Sequence, residues 1–316
     1  MINAPCAPSL ETNIPTKEVR SVGHFVDEVE LIAEEWRRDA RDRLDPSEEP
    51  YPGESVPWLR GVSDKDYPLE PTLLRSNDPV LNKYNQDRDT LLWLEGYMLS
   101  RFRSGGQRLV EVLPKTHLGW IFLMQHHGLP TRLLDWSKNA LTALYFAVRT
   151  AKETEAAVFV LDPRTLSEKC GLGRSIADPM NRTTKDRYID EYLNLSYSQG
   201  PRDYYPIPLI PPQISDRLAA QHSRFTLHTN RRGALADFMR KTRTPSCCHM
   251  KRLTIPVRTR TTILRTLRLT GATQPDILPG LDNLATDIRE RIELGLADMR
   301  GPAPEHSGSH PVVLTP

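Results

Sequence analysis

Apolar residues recur at helical spacing in some stretches and in short continuous runs in others, and the order of these patterns outlines a fold. Phe25, Val26, Val29, Ile32, Ala33 and Trp36 share a helical face opposite Asp27, Glu28, Glu30, Glu34 and Glu35, which predicts an amphipathic helix with a solvated acidic side. Pro46, Pro50, Pro52, Gly53 and Pro57 mark a loop, and the overlapping run Val56 to Val62 reads as a short strand with Arg60 and Gly61 near its end. Leu91, Leu94, Tyr97, Met98 and Phe102 predict a helix closed at Gly105 and Gly106 by a left-handed cap; Leu118, Ile121, Phe122 and Gln125 predict another. Residues 156–162 and Met250 to Val257 read as strands, whereas Lys185 to Leu195, the segment with Ile263, Leu264, Leu267 and Leu269, and Leu281 to Leu294 read as helices. Pro206, Pro208, Pro211 and Pro212 impose an extended connection, and residues 163–182, without a clear period, are expected to form an insertion or lid.

The stretch 125–147 mixes polar groups suited to chemistry with residues suited to a core. Gly128 and Pro130 stop the helix that carries His126 and His127. Thr131, Arg132, Asp135 and Ser137 then alternate irregularly with Leu133, Leu134 and Trp136, which predicts a polar turn leading into a buried helix with Ala140, Leu141, Leu144, Ala147 and Val148. Such a turn between buried elements can hold its donors and acceptors ready for a ligand. Arg60, Arg132 and Arg217 are costly to bury alone. Each either pairs with a structural carboxylate such as Asp66, Asp135 or Asp216, or joins the others around an anion such as a pyrophosphate, whose oxygens match guanidinium forks. Asp135 is an acid, a base, an orienting carboxylate, or a cap for the helix at Ala140 together with Ser137 or Asn139, while Trp136 reads as core. Tyr145 and Phe146 cannot both face the core, so one lines a cavity where its ring can stack on nicotinamide or adenine.

Composition narrows this picture only a little. A length of 316 residues with 38% hydrophobic content can bury one large core, and a net charge of +2 with a pI near 8.3 gives no global bias towards nucleic acid or anionic membrane. A local bias exists: Lys251 to Arg268 holds Arg252, Arg258, Arg260 and Arg265 without an acidic residue, a candidate phosphate contact or the solvated face of a strand. Cys6, Cys170, Cys247 and Cys248 lack framework spacing, which suggests free thiols in a reducing compartment. There is no secretory pattern and no apolar run of about 18 residues, so a soluble cytoplasmic protein is expected. His117, His126 and His127 with Asp135 invite a metal site, but adjacent histidines on a helix diverge by about 100°, and no metal is expected. Glycine-rich nucleotide fingerprints, the phosphate loop and the serine-hydrolase elbow are missing.

Gln125-His-His-Gly-Leu-Pro-Thr-Arg-Leu-Leu-Asp-Trp-Ser137, followed by Ala143-Leu-Tyr-Phe-Ala147, resembles the signature of the FRG domain family. Arg60-Gly61 corresponds to the Phe-Arg-Gly motif that names the family, with Leu59 in the aromatic position. Tyr67-Pro-Leu-Glu-Pro-Thr-Leu-Leu-Arg75 resembles a further family motif, as does Ser215 to Thr226, where Ser223 replaces a glycine and so puts a tight, positive-φ backbone in question. The resemblance spans roughly 22–296 and divides the chain into a mobile lead (1–20), a single domain (21–296) and a disordered tail (297–316). FRG domains resemble the ADP-ribosyltransferase fold, which implies an α+β architecture with a small bent mixed or antiparallel sheet, flanked by several helices, and NAD bound as substrate in a cleft.

The implied activity is NAD-dependent ADP-ribosyl transfer or NAD hydrolysis, in stress or phage defence. Arg60 would grip NAD, Tyr145 would sit near the nicotinamide, Gln221 is the family's glutamine, and Asp216 is the carboxylate nearest its motif. Gly61, Thr131, Arg132, Asp135 and Arg217 complete the implied cofactor-binding set. The expected partners are NAD or a related nucleotide and a macromolecular acceptor, with no membrane and with nucleic acid reached through Lys251–Arg268. The alternatives are a non-catalytic nucleotide or nucleic-acid binding module and a metal-dependent nuclease.

Overall fold

The computed structural model describes residues 14–42, 56–75, 81–84, 88–150, 153–174, 176, 206–211, 220–229, 235 and 249–293. The chain opens with β1 (Thr16–Glu18), α1 (Val22–Asp42) and β2 (Trp58–Val62), and two 3-10 turns then lead to α2 (Arg88–Gly106) and α3 (His117–His126). Next come β3 (Leu133–Ser137), α4 (Ala140–Val148), β4 (Ala156–Leu161) and α5 (Pro163–Lys169). The described residues beyond it include β5 (Ile207–Leu209), β6 (Ser223–Leu227), β7 (Met250–Ile255), α6 (Val257–Leu269), α7 (Gln274–Ile277) and α8 (Leu281–Glu293).

The strands form one mixed sheet in the order β1-β7-β4-β2-β3-β6-β5, antiparallel throughout except for the β1–β7 pair. The expected mixed sheet flanked by helices is therefore present. β4 lies near its centre and is buried along its whole length, with Ala157, Phe159 and Leu161 in one apolar cluster and Ala156, Val158 and Val160 in a second. Successive strand side chains point to opposite faces, so this division places a core on each side of the sheet. α3 and α5 supply one core, through residues such as Ile121, Phe122 and Leu166. α1, α4 and α6 supply the other, through Phe25, Trp36, Leu144, Ile263 and Leu267.

Several local expectations are corrected. Residues 16–18, assigned to the mobile lead, form an edge strand, and Ile14 and Val19 beside it are buried. Leu133–Ser137 is a strand and not a turn: its neighbours cover every position except Asp135, which hides the period-2 pattern in the sequence. Gly105 and Gly106 lie inside α2 and do not adopt positive φ. The start of the supposed insertion, 163–169, is α5, whose N-cap Asp162 accepts from the amide of Arg164 at 3.1 Å. Ile207–Leu209, expected only as an extended connection, joins the sheet at its edge, where Pro208 is tolerated because one side of the strand needs no donor. Positive φ occurs at His222 (φ 47), immediately before the Ser223 position where it was in question. The expected helix at 185–195, most of 175–182, Cys6, Cys247, Cys248 and the tail from 297 lie outside the described residues.

Candidate functional site

β2 pairs with β4 along its full length, from Trp58 opposite Leu161 to Val62 opposite Ala157, but with β3 only at Leu59 opposite Ser137. Past that bridge β2 and β3 part. Arg60 reaches across the gap, its Nη1 donating to the main-chain oxygen of Asp135 at 2.8 Å. The gap opens into a cleft of about 500 Å³, whose lining includes Arg60, Gly61, Arg75, Gln125, Asp135, Phe146, Arg149, Gln221 and Ser223. Gly61 makes this geometry possible. A Cβ there would come within 1.8 Å of the Ala143 oxygen and 2.7 Å of the Ala147 nitrogen, so only glycine lets the backbone of α4 rest on β2. That contact brings Phe146 and Arg149, at the carboxyl end of α4, to the cleft.

α3 closes with Gly128 at φ +81, the Gly128 amide donating to Gln125 and the Leu129 amide to Met124, which is a Schellman end. Gln125, on the last turn, donates from Nε2 to both carboxylate oxygens of Asp135, at 3.2 and 3.1 Å. Thr131 Oγ1 donates to Gln125 Oε1 at 2.6 Å and so fixes which way the amide faces. Trp136 is core, as expected, and its Nε1 donates to Thr226 Oγ1 at 3.1 Å. The indole nitrogen can only donate, so the Thr226 hydroxyl proton is left for Nε2 of His228, 3.0 Å away. Burial, reinforced by the charge of Arg60, pushes His228 down to about 3 and keeps it neutral. Ser137 Oγ donates to the Gln221 oxygen at 2.7 Å and ties the start of β6 to β3. Asn139, not Asp135, caps α4, its Oδ1 accepting from Leu141 and Thr142.

Charge in the cleft is unbalanced: Arg60, Arg75 and Arg149 line it, and Asp135 is the carboxylate among the described lining residues. Burial lowers Arg60 to about 10, with Asp135 opposing and Arg75 adding to the shift, so the guanidinium stays charged at neutral pH. Among the described residues, Arg60 Nε and Gln221 Nε2 are buried donors with no hydrogen-bond partner. Arg149 lies over the Phe146 ring, 5.1 Å from its centroid, a cation–π contact at the cleft wall.

Of the residues singled out in the sequence, the cleft gathers Arg60, Gly61, Asp135 and Gln221. Thr131 is fully buried and acts through Gln125. Arg132 does not line the cleft: its Nε donates to Glu95 Oε2 at 2.7 Å, with the side chains 4% and 5% exposed, so this arginine has a structural carboxylate partner. Tyr145 is also placed elsewhere, fully buried with its hydroxyl donating to Gln274 Oε1 at 2.9 Å; the ring in the cleft belongs to Phe146. Asp216 and Arg217 lie outside the described residues. Arg75, Gln125 and Arg149 were not singled out as site residues. Arg75 ends the Tyr67 motif and Gln125 begins the longest one, whereas nothing in the sequence marked Arg149.

The basic run 251–268 is largely occupied within the protein. Lys251 pairs with Glu35, Arg258 approaches Glu18 at 3.7 Å, and Arg268 approaches Asp287 at 3.9 Å. Arg260 donates to the main-chain oxygens of Ser63, Ala147 and Thr154. Among the described residues no group of three His, Cys, Asp or Glu could hold a metal ion, and no helix is long and apolar enough to cross a membrane.

Residues 56–156 match the family model of the FRG domain, a span that holds Arg60, Arg75, Gln125, Asp135, Phe146 and Arg149 but not Gln221. No curated protein and no solved structure matches the chain.

Proposed function

We propose, from the FRG domain that the chain carries at residues 56–156, that the cleft binds NAD and breaks its nicotinamide–ribose bond, passing ADP-ribose to water or to a macromolecular acceptor. Arg60, Arg75 and Arg149 hold the pyrophosphate, since guanidinium groups match phosphate oxygens in pairs. Phe146 offers a ring face to nicotinamide or adenine. As the bond between ribose C1′ and nicotinamide breaks, the electron pair leaves with nicotinamide and positive charge develops on the ribose. Asp135 steadies that charge, the acceptor oxygen adds to C1′, and its proton passes to solvent. Asp135 takes the part that Asp216 was expected to fill, because it is the carboxylate in the described cleft.

One observation carries this reading: a cationic and an anionic side chain, Arg60 and Asp135, face the same opening where β2 and β3 part. The parting of these strands in a mixed sheet also suits the bent sheet with a cleft that the ADP-ribosyltransferase resemblance implies. The implied stress or phage-defence setting rests on the same chemistry. The test is liquid chromatography of nicotinamide released from NAD by purified protein. We expect release by the wild type and a loss of about 100-fold or more in Asp135→Asn and in Arg60→Ala. Wild-type rates in both variants would sink the assignment. A second reading, binding without turnover, is favoured by the two Asp135 oxygens already accepting from Gln125. It predicts thermal stabilisation by NAD that mass spectrometry then shows to be intact.

A further inference from the structure

Arg60 and Asp135 carry opposite charges but do not touch: Nη1 stands 3.8 Å from Oδ2. Charge-assisted hydrogen bonds close to about 2.7–2.9 Å, and a mostly buried guanidinium beside a carboxylate ordinarily closes to that contact. The surrounding bonds explain why this pair stays open. Nη1 of Arg60 is directed to the main-chain oxygen of Asp135, at 2.8 Å. Both carboxylate oxygens are drawn by Nε2 of Gln125, at 3.2 and 3.1 Å. The Gln125 amide cannot turn over without losing its bond from Thr131, whose Oγ1 donates to Oε1 at 2.6 Å. Thr131 Oγ1 in turn accepts from the Leu133 amide at 3.2 Å, so the hydroxyl's one proton is left for Gln125.

We propose that Gln125, aimed by Thr131, is a positioning residue that holds the Arg60–Asp135 pair apart, so that the guanidinium can take an anionic ligand while the carboxylate stays available to a developing cation. The ligand side of this inference rests on the cleft being an NAD site; the separation is a property of the free protein. Without Gln125 the carboxylate loses its side-chain donor and rotates onto Arg60. The pair then neutralises itself, and the cleft loses grip on anions.

The experiment joins crystal structures of Gln125→Ala, Thr131→Val and Thr131→Ser with calorimetric titration of NAD and of inorganic pyrophosphate. In Gln125→Ala and Thr131→Val we expect Asp135 and Arg60 at direct hydrogen-bond distance and about tenfold weaker binding of both ligands, with Thr131→Ser like the wild type. A role confined to packing would instead leave Thr131→Val, which keeps the side-chain shape, like the wild type, make Thr131→Ser the affected variant, and leave the carboxylate in place. An unmoved carboxylate in Gln125→Ala overturns the proposal, as do wild-type affinities in a variant whose pair has closed. If Gln125→Ala does not fold, the two Thr131 variants decide. If the wild type binds neither ligand, the NAD reading fails, and closure or its absence in the crystals still decides whether Gln125 holds the pair apart.

Discussion

Arg60 and Arg132 look alike in the sequence, each beside apolar neighbours in a family-like motif, and they do different work. Arg132 is enclosed with Glu95, which accepts from both its main-chain nitrogen (3.0 Å) and its Nε (2.7 Å). Arg60 has a carboxylate nearby but not in contact, and it borders a cleft. The difference has a measurable consequence. Removing one partner of a buried pair strands the other charge, so Glu95→Ala is expected to cost about 3 kcal/mol or more in urea denaturation. Asp135→Asn, where the carboxylate is 54% exposed, is expected to change stability by less than about 1 kcal/mol while abolishing turnover. A stable Glu95→Ala protein would contradict the assignment of Arg132 to structure. Arg60 and Asp135 were marked by two separate motifs, and for Asp135 the bonded partner Gln125 stands in the same motif, ten residues away, although the two marked residues are 75 apart. The partner of Arg132 lies on α2, and no local pattern connects it to the arginine. Tyr145 and Phe146 were separated by helix phase alone, which could not be read because α4 is apolar nearly all round, with Thr142, Ala143, Leu144, Tyr145, Ala147 and Val148 all buried.

Among the elements, helices with one wet face were the most legible. α1 follows its apolar stripe of Phe25, Ile32, Ala33 and Trp36. β4 was legible as a continuous apolar run. β1 was not, since Thr-Lys-Glu is exposed at every position and owes its conformation to main-chain pairing with β7. β3 was obscured because enclosure by β2, β6 and the flanking helices makes adjacent residues equally buried. The contact between α4 and β2 depends on one missing side chain. Gly61→Ala would place a methyl 1.8 Å from the Ala143 oxygen, a main-chain atom that can move only if the helix moves. We expect a loss of about 3 kcal/mol or more by urea denaturation, together with loss of NAD binding as Phe146 and Arg149 shift. Gly105→Ala in α2 meets nothing within 4 Å and should instead stabilise by up to about 1 kcal/mol. If both substitutions were neutral, close packing would not be the reason for glycine at 61.

On the scale of the whole molecule, the sheet separates two cores, and the cleft opens where the sheet's pairing is interrupted. The groups behind the cleft are therefore both core and site. His228 is buried and neutral, mainly through burial and secondarily through the charge of Arg60, so a charge that lines the cleft bears on the protonation of a core group. Its ordinary value of 6.5 falls to about 3 in the folded protein. Between those values the unfolded chain binds a proton at this ring that the native protein does not, so stability rises with pH across the window and is lost as pH falls from 6.5 towards 3. Asp162 acts lower on the scale: burial alone would raise its carboxyl, but hydrogen bonds from His249 and Thr165 hold it below the usual 3.8. The first acid loss should therefore belong to His228. Urea unfolding measured from about pH 7.5 down to about pH 4.5 should show progressively lower stability in the wild type. His228→Asn, compared with its own value at the upper pH, should lose less over the same interval. Arg60→Ala should raise the His228 value, read from its ring proton by NMR, because the nearby positive charge is gone. Equal acid losses in wild type and His228→Asn would mean that another group controls the window, and an unmoved His228 in Arg60→Ala would sever the proposed link between cleft charge and core.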